Sequence, residues 1–390
     1  MRSGRPWRTV GCRWRVNVLG SRLRLAVITE ALASSAMSSR VLVAVLLALG
    51  LAAAPASAAT PRSFFGVIVD GPALGADGGL DAEAGAIARS GTRTVRAAAY
   101  WSDLEPADGQ VQLASFDALV LTAARRNIGV LPVVLRTPGW AAAEPGVIGS
   151  PPLDPSTYAR FLTTLVARYG PAGSLWADNP GVRRIPIRRW QVWNEPDITK
   201  FWAVEDWAPG YTRLLKAGAA ALRRADEGAV VVAAGLTNRS WIDLRKLYAA
   251  GARGSFDVAA VHPFSARVSN VVKLARLARL EMRKAGDARK PLLLTELSWS
   301  SGKGKSTFNY GWETTEAGQA EKIRQVLPAL AAERKRLGLA GLYWYTWLSR
   351  PVGGRDSFDY GGLRRVGGEG RSVDKPALRA WRDTIARLAR

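Results

Sequence analysis

The chain has 390 residues, of which 48% are hydrophobic and 22% charged, a composition typical of a folded globular protein. Its formal net charge is +23, but lysine and arginine are spread along the whole chain, which disfavours a dedicated nucleic-acid interface. With one histidine and one cysteine, the chain cannot assemble a multi-histidine metal site or a disulfide of its own. We therefore predict catalysis by carboxylates, with no metal and no cofactor.

A secretory signal peptide is predicted near the amino terminus. Arg40 supplies a positive charge, residues 41–54 form an apolar run of 14, and small residues follow at 55–59. A membrane span needs roughly 20 apolar residues, so we predict cleavage after Ala58 or Ala59 and a secreted protein that meets the membrane only during export. Cleavage removes Cys12, and the loss of eight arginines and one glutamate lowers the net charge to +16.

Met37 by itself would begin a signal peptide of ordinary length. We therefore predict that translation starts there and that residues 1–36 are a mis-assigned or dispensable extension. The predicted organisation is this extension, a signal peptide at 37–59, and one catalytic domain at 60–390.

After residue 60, short apolar runs alternate with longer amphipathic stretches, the pattern of βα units with parallel strands. The predicted strands are 65–69, 94–98, 129–135, 189–193, 230–234, 258–262, 291–296 and 341–347. The predicted helices lie near 81–90, 115–126, 155–168, 207–225, 240–250, 268–285, 316–336 and 376–389. Asp154 and Asp374 are helix-start signals for the third and eighth helices. Eight such units predict an α/β protein with a single (β/α)8 TIM barrel.

Two of the predicted strands end in a glutamate. Strand four runs into Trp193-Asn194-Glu195-Pro196, and strand seven ends at Thr295-Glu296. Reacting groups in these barrels project from the carboxyl ends of strands, and two carboxylates across the mouth can cleave a glycosidic bond. A separation of about 5 to 5.5 Å gives retention and roughly 6.5 to 9.5 Å gives inversion, a distance that the sequence leaves open.

With these motifs the chain resembles the clan A glycoside hydrolases over roughly residues 64–390. It is most similar to families 39 and 5, including bacterial exopolysaccharide-trimming glycosidases. The resemblance is carried by four segments, Val95-Arg96, Trp193-Asn194-Glu195-Pro196, Val261-His262-Pro263 and Tyr343-Trp344-Tyr345-Thr346-Trp347. It implies a retaining mechanism in which Glu195 is the general acid/base and Glu296 is the nucleophile.

The same resemblance implies that Arg96 supports the nucleophile, that Asn194 contacts the sugar 2-hydroxyl, and that His262 belongs to the glycone site. From the residues alone, the alternatives are a structural ion pair inside the barrel for Arg96 and a core histidine for His262. Related sequences often carry tyrosine where this chain has Phe264. If that tyrosine binds the nucleophile, Tyr310 or Tyr345 would have to replace it.

Tryptophans concentrate at the predicted strand ends and in the loops that follow. Sugar rings stack on aromatic side chains, so we predict substrate-binding roles for Trp101, Trp140, Trp299, Trp344 and Trp347. Trp344 or Trp347 is the expected floor of the catalytic subsite, although each tryptophan alone would also fit the core. The loop 300–313, with Lys303, Lys305, Tyr310 and Trp312, is either a cleft wall or a plain surface excursion.

The predicted function is thus that of a secreted retaining glycoside hydrolase with an oligo- or polysaccharide substrate. One alternative is a non-catalytic glycan-binding barrel that acts at the cell envelope. A second alternative, a nucleic-acid or envelope-polymer binder, rests on the basic net charge. That charge is otherwise explained by a solvated basic surface without a partner, or by attraction to an acidic glycan or cell-wall polymer. No nucleic-acid partner is predicted, and the sequence does not specify an oligomeric state.

Overall fold

The computed structural model of the protein describes residues 59–70, 79–204, 206–350 and 353–390. Within these ranges eight parallel strands close into one barrel, in which β1 pairs with both β2 and β8. The strands are β1 (Phe65–Val69), β2 (Thr94–Tyr100), β3 (Gly129–Leu135), β4 (Arg189–Val192), β5 (Val230–Leu236), β6 (Val258–Val261), β7 (Leu292–Leu297) and β8 (Leu339–Trp344). The predicted TIM barrel is confirmed.

A long helix follows each barrel strand along the chain. These are α1 (Gly79–Arg89), α2 (Ala114–Arg125), α3 (Pro155–Tyr169), α4 (Trp207–Ala225), α5 (Ser240–Ala249), α6 (Val268–Lys284), α7 (Glu316–Leu337) and α8 (Pro376–Leu388). Two short helices, Trp101–Leu104 and Ser174–Asp178, and a small sheet of β9 (Leu348–Ser349), β10 (Arg364–Val366) and β11 (Ser372–Asp374) were not predicted. Elements of two to five residues are too short to show a period.

The two helix-start signals have different outcomes. Asp154 caps α3, since its carboxylate accepts the backbone N–H of Ser156 at 2.8 Å. Asp374 does not cap α8, which begins after Lys375 at Pro376. Its carboxylate instead accepts a hydrogen bond from Arg364 at 2.6 Å, so Asp374 precedes the predicted helix start without capping it.

Apolar side chains fill the inside of the barrel and the layer between strands and helices. The inner cluster consists of Ile68, Leu131, Val232, Val258, Ala260, Leu293 and Tyr343. Buried polar side chains, among them Arg96, Gln191 and Glu296, lie on strands of the same barrel. Active sites of TIM barrels occupy the carboxyl end of the strands, so these buried polar side chains are the candidates for chemistry.

Glu83 of α1 is buried between the barrel and the small sheet. It accepts hydrogen bonds from Trp347 Nε1 at 2.5 Å and from Arg364 Nη1 at 2.7 Å. We expect Glu83→Ala to lower the free energy of unfolding by about 1–3 kcal/mol, because the buried Trp347 Nε1 loses its acceptor while Arg364 keeps its bond to Asp374. Urea unfolding measures this, with Glu321→Ala in the exposed pair with Arg324 as the control at about 0–1 kcal/mol. Equal losses in the two variants would contradict the prediction.

Within the described ranges, no helix combines the length and the apolar character needed to cross a membrane. The predicted extension at 1–36 and the predicted signal peptide, apart from Ala59, lie outside the described residues.

Candidate active site

The backbone after β4 turns sharply at the Trp-Asn-Glu-Pro segment. Trp193 and Glu195 have φ values of 68° and 40°, a region that residues other than glycine rarely adopt. Two hydrogen bonds hold this turn, one from the Trp193 N–H to the Val134 carbonyl at 3.0 Å and one from the Glu195 N–H to the Gly235 carbonyl at 3.1 Å. Neighbouring strands β3 and β5 therefore determine where Glu195 lies.

Glu195 and Glu296 meet at the carboxyl end of the barrel. One carboxylate oxygen from each, together with one ring nitrogen of His262, all lie within 4.8 Å of one another. The two side chains are 14% and 10% exposed, so each is largely desolvated yet reachable from solvent. The structure thus brings together the two glutamates that the sequence analysis singled out.

Arg96 connects three side chains of the site. Its Nη1 donates to Glu296 Oε1 at 2.8 Å, its Nη2 to Asn194 Oδ1 at 2.7 Å, and its Nε to Gln191 Oε1 at 2.6 Å. The guanidinium is therefore the counter-charge of Glu296, as expected of a residue that supports the nucleophile. Because Asn194 Oδ1 is engaged and its Nδ2 has no hydrogen-bond partner among the described residues, the Nδ2 group can donate to a sugar hydroxyl.

His262 lies behind Glu195 with no exposed surface. Its Nδ1 is 2.6 Å from Glu195 Oε1 and its Nε2 is 2.9 Å from Thr295 Oγ1. Gly235 leaves room for the ring, since a β-carbon at this position would overlap the imidazole. The predicted substrate-binding role of His262 is therefore corrected. Its side chain has 0% exposure and hydrogen-bonds with Glu195 and Thr295, so it has no surface left to contact a sugar.

Burial sets the protonation of the site. It raises the pKa of Glu195 to about 7, against the opposing charges of Arg96 and Lys200. Burial also raises the pKa of Glu296, and His262 and Arg96 oppose that shift. Burial lowers the pKa of His262 to about 4, which keeps the imidazole neutral near neutral pH. Glu195 can therefore hold its proton at a pH where Arg96 stabilises the ionised form of Glu296.

Neutral imidazole has one donor and one acceptor nitrogen, so the two bonds of His262 can reverse together. When Glu195 is protonated, it donates to Nδ1 while Nε2 donates to Thr295. When Glu195 is ionised, Nδ1 donates to the carboxylate and the Thr295 hydroxyl donates to Nε2. His262 can thus remain hydrogen-bonded in both protonation states of Glu195.

The spacing of Glu195, His262 and Glu296 also matches that of metal ligands. However, both nitrogens of His262 have hydrogen-bond partners and the Arg96 guanidinium already neutralises Glu296. The charges present are balanced by the protein's own side chains, which favours acid/base chemistry at this cluster.

Four of the five predicted tryptophans belong to the core. Trp101, Trp299, Trp344 and Trp347 are at most 1% exposed. Side chains alternate along a strand, so Tyr343 packs inside the barrel whereas Trp344 faces α8, its ring 6.2 Å from that of Trp381. Trp347 donates to Glu83 of α1. The prediction that Trp344 or Trp347 forms the floor of the subsite was wrong, because neither has a free face.

The other predicted tryptophans differ in burial. Trp101 stacks on Phe161 of α3 at 5.6 Å, and Trp299 donates to the Ala266 carbonyl at 3.2 Å, so both are corrected to core residues. Trp140 is partly exposed, and its Nε1 donates to the Glu105 carbonyl at 3.0 Å. The role of Trp140 as a stacking residue stays a prediction.

Neither tyrosine expected as a replacement partner of Glu296 forms a hydrogen bond with it among the described residues. The Tyr310 hydroxyl is 3.1 Å from Asp356 Oδ2. Tyr345 packs against the inner barrel cluster, and its N–H donates to the Leu297 carbonyl at 3.0 Å. Arg96 holds Glu296 instead.

Sequence analysis missed two residues of the site. Gln191 orients Arg96, and Thr295 orients His262. The available signal was polarity within a buried strand. Gln191 and Thr295 interrupt apolar runs, and buried polar groups need hydrogen-bond partners.

Replacing Arg96 tests its electrostatic role. We expect Arg96→Gln to shift the acid limb of activity to higher pH, because Arg96 lowers the pKa of Glu296, and to destabilise the protein by about 3–5 kcal/mol, since a buried carboxylate loses its partner. Arg96→Lys keeps the charge and should keep the acid limb in place. Steady-state rates against pH and urea unfolding measure both effects. An unmoved acid limb in Arg96→Gln would contradict this role.

Comparison with known proteins gave matches at the level of structure alone. No family model matches the chain, and no curated protein matches it by sequence. A family 39 glycoside hydrolase from the gut symbiont Bacteroides cellulosilyticus WH2 superposes with a TM-score of 0.61 and 18% identity, over 84% of this chain. The chain spans 64% of the length of that protein.

Two further solved structures have the same barrel. A monomeric β-xylosidase from Caulobacter crescentus CB15 has a TM-score of 0.59 and 20% identity, over 83% of this chain and 68% of its own. A family 5 glycoside hydrolase from Bifidobacterium longum, in complex with Manβ1-4GlcNAc, has a TM-score of 0.61 and 17% identity, over 83% and 78%. The chain therefore shares its (β/α)8 fold with family 39 and family 5 glycoside hydrolases of clan A.

Proposed function

We propose that this protein is a secreted retaining glycoside hydrolase that cleaves O-glycosidic bonds in an oligo- or polysaccharide by double displacement. The observation that carries the proposal is the pair Glu195 and Glu296, whose carboxylate oxygens approach within 4.8 Å at the carboxyl end of the barrel. Such proximity supports direct attack by a carboxylate, because inversion needs a gap of roughly 6.5 to 9.5 Å for a water molecule.

In the first step, the ionised Glu296 attacks the anomeric carbon while the bond from that carbon to the leaving oxygen breaks. Glu195 gives its proton to the leaving oxygen, so the leaving group departs as a neutral alcohol. The products of this step are a glycosyl ester on Glu296 and an ionised Glu195. The raised pKa of Glu195, about 7, suits it to hold that proton beforehand.

In the second step, water attacks the anomeric carbon and the ester bond to Glu296 breaks. Glu195 accepts a proton from the water, which restores both side chains to their starting states. Arg96 stabilises the carboxylate of Glu296 before the attack and after its release. Asn194 donates from Nδ2 to a sugar hydroxyl, an interaction that strengthens in the transition state.

Secretion is part of the proposal and depends on the predicted signal peptide at 37–59. Mass spectrometry of the exported protein tests it, with Ala59 or Thr60 as the expected first residue. The same measurement on the precursor tests the start at Met37, since a peptide from residues 1–36 would contradict it.

The activity is tested with a panel of polysaccharides that includes xylan, β-mannan and acidic glycans, assayed for new reducing ends. Wild-type protein is expected to release reducing ends from at least one polymer, and the Glu195→Ala variant to release almost none. A glycan-binding barrel would retain a polymer without cleaving it, and this result would replace the proposed function.

A further inference from the structure

Two loops at the mouth of the barrel are joined into one ridge, which we define as residues 306–314 and 353–360. The N–H groups of Thr307 and Phe308 both donate to the Arg355 carbonyl at 2.9 Å, and the Ser357 N–H donates to the Phe308 carbonyl at 3.0 Å. The loop after β7 is therefore held by the segment that follows β9, and it is not a plain surface excursion.

A row of aromatic rings runs from the catalytic cluster into this ridge. Tyr345 begins the row: its N–H donates to the carbonyl of Leu297, the residue after Glu296, at 3.0 Å, and its side chain packs against the inner barrel cluster. Its ring is 5.4 Å from that of Phe358, which in turn is 5.2 Å from that of Tyr310. Two ring-to-ring steps thus lead from beside Glu296 to Tyr310.

Tyr310 ends the row with a ring that is held in place and open to solvent. One side of the ring stacks on Trp312 at 6.3 Å and 19°, and the hydroxyl lies 3.1 Å from Asp356. The backbone is held as well, since the N–H groups of Tyr310 and Gly311 donate to the Glu313 carboxylate at 2.6 and 2.9 Å. Even so, Tyr310 is 56% exposed.

An exposed aromatic ring that is already immobilised loses little conformational entropy when a ligand stacks on it. The C–H face of a pyranose is the apolar surface that such a ring accepts in a glycan-cleaving protein. No cation lies over the ring of Tyr310 among the described contacts. The ring packs against the neutral rings of Trp312 and Phe358, and its hydroxyl group binds the Asp356 carboxylate.

We propose that Tyr310 is a stacking platform for a second sugar residue of a glycan chain whose first residue lies beside Tyr345 at the catalytic pair. The inference rests on the proposed function and deepens it. It assigns the substrate class as an oligosaccharide or polysaccharide that extends past the reacting sugar toward the ridge formed by the β7 and β9 loops.

Phe308 offers a matched control two positions away. It is 57% exposed, nearly the same as Tyr310, but its ring faces Arg355 at 5.6 Å and has no ring neighbour in the row among the described residues. Phe308→Ala therefore removes an equally exposed aromatic side chain of the same ridge without interrupting the path from Tyr345.

The experiment measures kcat/KM against chain length with size-fractionated oligosaccharides of two to six residues, prepared from the polysaccharide that the wild type cleaves. We expect Tyr310→Ala to lose about five- to tenfold on the longer chains and to match the wild type on the shortest. Tyr310→Phe and Phe308→Ala should keep the wild-type length profile. Thermal unfolding of each variant verifies that the barrel is intact.

A second measurement separates binding from turnover. In the Glu195→Ala background, Tyr310→Ala should raise the calorimetric Kd of the longest oligosaccharide by the same five- to tenfold. The platform is overturned if Tyr310→Ala and Phe308→Ala give the same profile at every chain length. Absence of cleavage by the wild type on the whole polysaccharide panel overturns the proposed function instead.

Discussion

The Glu296→Gln variant is expected to lose turnover on the order of 10⁴-fold in kcat. Glutamine has nearly the shape of glutamate but no negative charge with which to attack the anomeric carbon. The variant should remain folded, because the amide oxygen can still accept the hydrogen bond that Arg96 donates to Oε1 at 2.8 Å. Binding of the glycan should change much less than turnover, since the lost interaction develops only as the bond to the sugar forms.

Covalent trapping identifies the nucleophile directly. A 2-deoxy-2-fluoro glycoside with an activated leaving group slows the second step, so the glycosyl ester accumulates and peptide mass spectrometry locates it. We expect the label on Glu296, and none on the Glu296→Gln variant. Glu321→Gln, a change of the same kind on the exposed face of α7, should keep full activity. A label on another residue would exclude Glu296 as the nucleophile.

The pH profile of kcat/KM is expected to have an alkaline limb near pH 7. Glu195 must carry a proton to protonate the leaving oxygen, and burial raises its pKa to about 7, so the active fraction falls as pH rises through that value. On the acid side, protonation of Glu296 removes the nucleophile, and the raised pKa of that carboxyl moves this limb above the ordinary glutamate range.

Replacing Glu195 with glutamine should remove the alkaline limb and lower kcat/KM on the natural glycan by about 10²- to 10⁴-fold. The loss should be much smaller with a 4-nitrophenyl glycoside, because nitrophenolate leaves without a proton. Asp197→Asn is the control: burial raises the pKa of Asp197 to about 6, and Glu195 contributes to that shift, but its carboxylate accepts the Thr237 N–H at 3.0 Å. The role of Glu195 is contradicted if Asp197→Asn, and not Glu195→Gln, removes the alkaline limb.

The eight βα units were predictable because their signals are local. Strands buried on both faces are continuous apolar runs, as in Val258–Val261, and helices that cover them repeat apolar residues every three or four positions, as in Trp207–Ala225. The small sheet was not predictable in this way, because β9, β10 and β11 have two or three residues each. Their pairing depends on distant backbone and not on a repeated pattern.

Trp344 failed as a prediction for a geometrical reason. Adjacent residues of a strand point to opposite faces, so one position separates a side chain at the mouth from one in the helix layer. Within Tyr343-Trp344-Tyr345, composition favours the tryptophan as the sugar platform, but the strand phase turns Trp344 toward α8. Which face of the sheet each residue of this strand occupies is known only once the neighbouring strands are in place.

The sequence by itself determined the number of βα units and the positions of Glu195 and Glu296 at the ends of the fourth and seventh strands, since motif and strand count are both local properties. Only the tertiary structure decided how these residues interact. Arg96 and Glu296 lie 200 positions apart in the chain, and closure of the barrel brings them within 2.8 Å. The burial that raises the pKa of Glu195, and the approach of the two carboxylates within 4.8 Å, likewise exist only when strands β2, β4, β6 and β7 share one mouth.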